Sequence, residues 1–138
     1  MIAARRLQLP APMLLMTGLE FLMAARAFAG ERAAARGVTL AIGRRIVNRE
    51  VVGRESPEQP FAPGEAVYAH TTVSGFGSGF IEHVWSLNGT EIARHYMPVD
   101  DTRRWRTWSR HHLVTGDYTV DVFGPDGRRM ASHRFTVR

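Results

Sequence analysis

After residue 37, apolar residues alternate with polar or small ones along most of this chain, the period-two pattern of half-buried strands. Val38, Leu40 and Ile42 begin it, and Asn48-Arg49-Glu50 ends that first strand. Residues 53–64 include Pro57, Pro60 and Pro63 and have the composition of a loop. Val67, Ala69 and Val73, set against Tyr68, His70 and Thr72, predict a strand over 66–73. A Gly-rich turn at 74–79 follows, then strands over 81–87 and 90–99. These two are joined by Asn88-Gly89, the strongest short hairpin signal a sequence offers. Asp100-Asp101 turns the chain into a strand over 103–110. Tyr118, Val120 and Val122 mark the next strand. Gly124-Pro125-Asp126-Gly127 is a turn, and a strand over 130–137 closes the domain. About seven strands at this spacing predict an all-β fold, an immunoglobulin-like antiparallel β-sandwich over residues 38–138. Residues 30–37 read as a linker. No helical period competes beyond residue 37, and there is no internal repeat.

Residues 1–29 break the pattern. Arg5-Arg6 precede an apolar stretch from Pro12 to Ala25, and Ala27-Phe28-Ala29 supplies small residues where a signal peptidase reads them. This is the layout of a secretory signal peptide, with cleavage before Gly30. Glu20 and Arg26 depart from that layout, and the alternative is an uncleaved hydrophobic helix retained as an anchor. The apolar run falls short of the ~20 residues a bilayer span needs, so no transmembrane segment is expected once the signal is removed. The expected location is the periplasm or the exterior, in the cell envelope.

Charge changes the picture only slightly. All eighteen basic residues are Arg; with thirteen acidic residues the net charge is +5. From Gly30 onward fifteen Arg face twelve acids, so the mature chain carries 15 − 12 = +3. Arg suits planar recognition of carboxylates and phosphates and stacks on aromatic rings, although a GC-rich genome gives the same bias. The lack of cysteine excludes disulfides, thiolate metal sites and a Cys nucleophile.

The candidate chemistry centres on Arg104-Trp105-Arg106-Thr107-Trp108-Ser109, with His83-Val84-Trp85 upstream. Alternation sends Trp105 and Thr107 to one face and Arg104, Arg106, Trp108 and Arg110 to the other. His83 and Trp85 share a face. The candidate ligand-binding residues are therefore His83, Trp85, Arg104, Trp105, Arg106, Trp108 and Arg110. The competing reading makes His83 a core-edge histidine and the arginine stems a cover for Trp108.

Other chemistry is weaker. His111 and His112 are adjacent and point apart on a strand, and no H-x-H or H-E-x-x-H spacing occurs, so neither a metal nor a cofactor is expected. Ser74-Gly75-Phe76-Gly77-Ser78 echoes a nucleophile elbow but lies in a turn between strands. Glu82 and Glu91 flank the Asn-Gly turn as a conceivable carboxylate pair on an exposed edge. No catalytic residues emerge.

Several segments in order carry a resemblance: Asn48-Arg49-Glu50, His83-Val84-Trp85 with Asn88-Gly89, and Trp105-Arg106-Thr107-Trp108-Ser109. Gly116-x-Tyr118-x-Val120-x-Val122, Asp126-Gly127 and Phe135-Thr136-Val137 complete it. Over roughly residues 38–138 the chain resembles the bacterial family called domain of unknown function 2914. Tyr118 stands where that family leads one to expect Trp. The resemblance implies a bacterial origin and a small β domain of envelope-associated proteins, and brings no activity with it. Gly-x-Tyr-x-Val also resembles the penultimate strand of immunoglobulin-like domains, whose Tyr caps a corner.

The expected function is a non-catalytic binding module of the bacterial cell envelope, using an aromatic–Arg patch. Its expected partner is a protein or a cell-wall glycan. Single-stranded nucleic acid is the alternative from another class, at odds with the modest mature charge and with export.

Overall fold

The computed structural model of the chain describes residues 37–100 and 104–138. The signal expected over 1–29 and most of the linker lie outside the described residues. Gly37, read as the end of the linker, already belongs to the first strand.

The described residues are all β, and every strand pairing is antiparallel. The strands are β1 (Gly37–Gly43), β2 (Arg45–Val47), β3 (Glu50–Val52), β4 (Ala66–Ser74) and β5 (Gly79–Leu87). They continue with β6 (Thr90–Val99), β7 (Trp105–His112), β8 (Gly116–Phe123) and β9 (Arg129–Val137). One sheet has the order β1-β4-β7 and the other β6-β5-β8-β9, while β2 and β3 form a separate hairpin.

Inward residues of the two sheets share one core. Ile42, Val67 and Ala69 from the first sheet cluster with Trp85, Tyr118, Val120, Phe135 and Val137 from the second. A second cluster joins Val73 to Ile81, Met97, Val99 and Val122, with Trp105 half-buried against it. Tyr118 stacks on Phe135 at 5.2 Å, and Phe61 meets Phe135 edge-on at 5.4 Å. Each fully buried side chain of this size contributes about 1.5–3 kcal/mol, which lets the domain hold without disulfides.

The β2–β3 hairpin corrects the expectation that Asn48–Glu50 merely ends a strand. Asn48 and Arg49 both have positive φ, 50° and 63°, as a tight two-residue hairpin turn requires. Gly43 ends β1 because the hairpin backbone passes so close that a Cβ there would sit 2.6 Å from the Val52 carbonyl oxygen.

Arg44, the next residue, fixes the proline-bearing loop. Its Nε donates to Glu65 at 2.9 Å, one terminal nitrogen donates to the carbonyls of Gly53 and Arg54, and the other to those of Gln59 and Pro60. All five guanidinium donors are thereby used, and the group also lies over the Phe61 ring at 4.8 Å. Hydrogen bonds from the Ala62 N–H and from Arg44 hold the Glu65 carboxyl below its ordinary pKa.

Candidate functional site

β7 carries most of the candidate residues, and its pairing with β4 runs unbroken from Trp105 to His112. No bulge reverses the parity, so Trp105, Thr107 and Ser109 turn inward and Arg106, Trp108 and Arg110 outward. Trp108 is 37% exposed. Its ring lies parallel to that of its cross-strand partner His70, with an interplanar angle of 8° and centroids 6.1 Å apart.

The guanidinium groups go elsewhere than expected. Arg106 reaches Glu50 of the hairpin at 2.6 Å, and Arg104 reaches the same oxygen at 3.1 Å. Arg110 lies 6.0 Å over the Tyr68 ring. The hydrogen bond from Arg106 is the main reason the Glu50 carboxyl titrates below its ordinary range, with the Arg104 charge adding to it. The hairpin is tied to the same sheet face by a 2.7 Å hydrogen bond between His70 Nε2 and the Arg49 carbonyl. His70 is consequently buried although it points away from the core between the sheets.

His83 and Trp85 lie inside, and both are 0% exposed. They do not join the arginine face. His83 Nε2 is 2.5 Å from Thr71 Oγ1 and its Nδ1 is 2.7 Å from Ser109 Oγ. The Trp85 indole N–H donates to the same Ser109 oxygen at 3.0 Å, and its ring stacks on His111 at 5.3 Å. Its partners are two buried hydroxyls, and the ring belongs to the core rather than to a ligand patch. One imidazole nitrogen can donate and the other accept, so the ring is satisfied while neutral. Burial foremost, with the charges of His95 and His70, pushes its pKa from 6.5 to about 3.

A serine oxygen 2.7 Å from an imidazole has the spacing of a nucleophile and its base. Here, however, Ser109 is 6% exposed, His83 is sealed, and Thr71 rather than a carboxylate occupies the orienting position. A reacting carbonyl has no approach to that oxygen. The cluster bolts the two sheets together through β4, β5 and β7.

The Glu82–Glu91 pair is bridged by one cation. Arg94 donates to Glu82 at 2.8 Å and to Glu91 at 2.5 Å. The Arg94 contact lowers the pKa of Glu91, and contact with Glu91 raises that of Arg94. Two carboxylates clamped on one guanidinium are not arranged as an acid and a base. Among the described residues, no three His, Asp or Glu side chains converge to hold a metal ion.

Sequence reasoning missed Thr71, Ser109, Glu50 and His70 as members of these arrangements. Thr71 had a signal: it continues the inward row Val67-Ala69-Val73 and is its one polar member. Ser109 likewise shares parity with Trp105. Glu50 had none, because its role depends on the hairpin.

No curated protein matches this sequence. The family match covers less of the chain than the resemblance read from its motifs, and lies within β5 to β9. Over residues 80–137 the chain matches the family described as Protein of unknown function (DUF2914).

Proposed function

We propose that this chain is a non-catalytic interaction module of the bacterial cell envelope, built on an immunoglobulin-like sandwich, with the outward face of β7 as its contact surface. One observation carries the reading: an indole 37% exposed on an edge strand, set parallel to the neighbouring His70 imidazole and flanked on its own strand face by Arg106 and Arg110. An accessible Trp set beside Arg has the composition of an interface hot spot. The sandwich reading is supported by a fully buried Trp on β5, a central strand of the four-stranded sheet. It is supported also by the Tyr118 hydroxyl, which accepts the Val114 N–H at 3.0 Å as a tyrosine corner does.

A protein or cell-wall glycan partner suits this face better than a nucleic acid. Glu50 already neutralises part of the charge of Arg104 and Arg106, which weakens a phosphate track. Export rests on Arg5-Arg6, the apolar run and Ala27-Phe28-Ala29.

The test is expression of the full chain in a bacterial host, recovery of its bound partner by chemical cross-linking, and N-terminal sequencing. The expected results are a mature chain starting at or near Gly30 and a partner lost on Trp108→Ala. An intact Met1 in the soluble cytoplasmic fraction would end the envelope assignment. Equal recovery by wild type and Trp108→Ala would end the assignment of the face.

A further inference from the structure

The outer face of the other sheet, β6-β5-β8-β9, carries a second surface of different chemistry. Phe80 and Tyr96, each 61% exposed, are the most exposed large apolar side chains among the described residues. With Glu82, Phe123 and Pro125 they line an open groove of about 460 Å³. The strand register sets its geometry: Glu82 on β5 pairs with Tyr96 on β6 and with Phe123 on β8. One carboxylate therefore sits between two aromatic residues on the flanking strands. Strands about 4.8 Å apart place those two ring-bearing positions roughly 9–10 Å from each other. A cation midway between them lies within the ~6 Å reach of both rings.

Charge points the same way. Among the described residues, Glu82 is the one charged side chain lining the groove. Arg94 does not cancel it, because the same guanidinium also serves Glu91, so the Glu82–Arg94–Glu91 group has a net charge of −2 + 1 = −1. This is a local negative site on a chain of net charge +5. The rest of the lining is glycine, proline and ring, which offers few acceptors for the N–H groups of a primary ammonium. A quaternary ammonium has no N–H to leave unsatisfied.

We infer that this groove binds a small organic cation of the trimethylammonium class, held between Tyr96 and Phe123 with Glu82 as its counter-ion. Arg94 is a positioning residue that fixes the carboxylate without neutralising it.

The experiment titrates the full chain with choline and follows saturation transfer to the ligand methyl protons by NMR. A parallel titration uses 3,3-dimethylbutanol, the uncharged carbon isostere. Choline saturates in the millimolar range, and the isostere binds at least about tenfold more weakly. Tyr96→Ala and Glu82→Gln each weaken choline by about tenfold, with the thermal midpoint of unfolding reporting that both variants stay folded. Equal binding of the isostere would show an apolar groove with no charge recognition and overturn the inference. It is overturned too if both folded variants bind choline as wild type does, or if no saturable signal appears by roughly 50 mM, far above the expected range.

Discussion

Trp85→Ala lowers the unfolding free energy by about 3–5 kcal/mol, the cost of removing a large aromatic side chain from a close-packed interior. The ring is 0% exposed and belongs to the larger of the two core clusters. Truncation leaves a cavity against His111, which stacks on the indole, and removes the donor that the Ser109 hydroxyl accepts. Both effects fall between the sheets, where β5 meets β7, so relaxation cannot close the gap without moving a strand. Urea unfolding of wild type and variant measures the difference. A loss below ~1 kcal/mol, typical of surface positions, would place Trp85 outside the core.

Acid should unfold this domain earlier than its carboxylates alone would require, because of His83. Its folded pKa is about 3 against 6.5 in the unfolded chain. Above pH 6.5 the ring is neutral in both states and the native state keeps its full stability. As the pH falls below 6.5 the unfolded chain takes up a proton that the folded one refuses. Stability then falls by about 1.4 kcal/mol per pH unit until the folded pKa is reached, a total of about 5 kcal/mol.

His111 and His133 are also shifted down, chiefly by burial, and act in the same direction. The readout is therefore a difference. His83→Gln keeps an amide that can meet the two hydroxyls but cannot titrate. Its unfolding free energy, lower at pH 7.5, should fall less steeply than that of wild type between pH 6.5 and 4.5. Below that range the paired carboxylates Glu50, Glu65 and Glu91, whose pKa values are lowered, begin to contribute. Parallel curves for the two proteins would mean that His83 is not held neutral.

What the sequence disclosed follows from how local each cause is. The seven strands of the two sheets were legible, because period-two alternation and the Asn88-Gly89 and Asp126-Gly127 turns are encoded within a few residues. Parity in β7 was legible for the same reason, and it placed Trp105 inward and Trp108 outward. The β2–β3 hairpin was not, since its turn puts Arg49, a poor candidate for positive φ, where Gly is usual.

The site itself was only half legible. That His83 and Trp85 share a face could be read from their strand. That His83 would be sealed by Thr71 and Ser109 required knowing that β4 and β7 lie over β5, contacts between residues 12 and 26 positions apart. The same limit hid Glu50, which neutralises part of the charge of Arg104 and Arg106 from more than fifty residues away. It hid the aromatic groove as well, because Tyr96 and Phe123 meet around Glu82 only through sheet pairing.

The claim that the β7 face makes the contact is tested most directly by site-specific photocross-linking in living bacteria. A photoreactive residue is placed at Arg110, beside Trp108, or at Arg134 on the exposed outer side of β9 in the other sheet. The account predicts a discrete covalent adduct from position 110 and none from position 134. An adduct from 134 with none from 110 would contradict it.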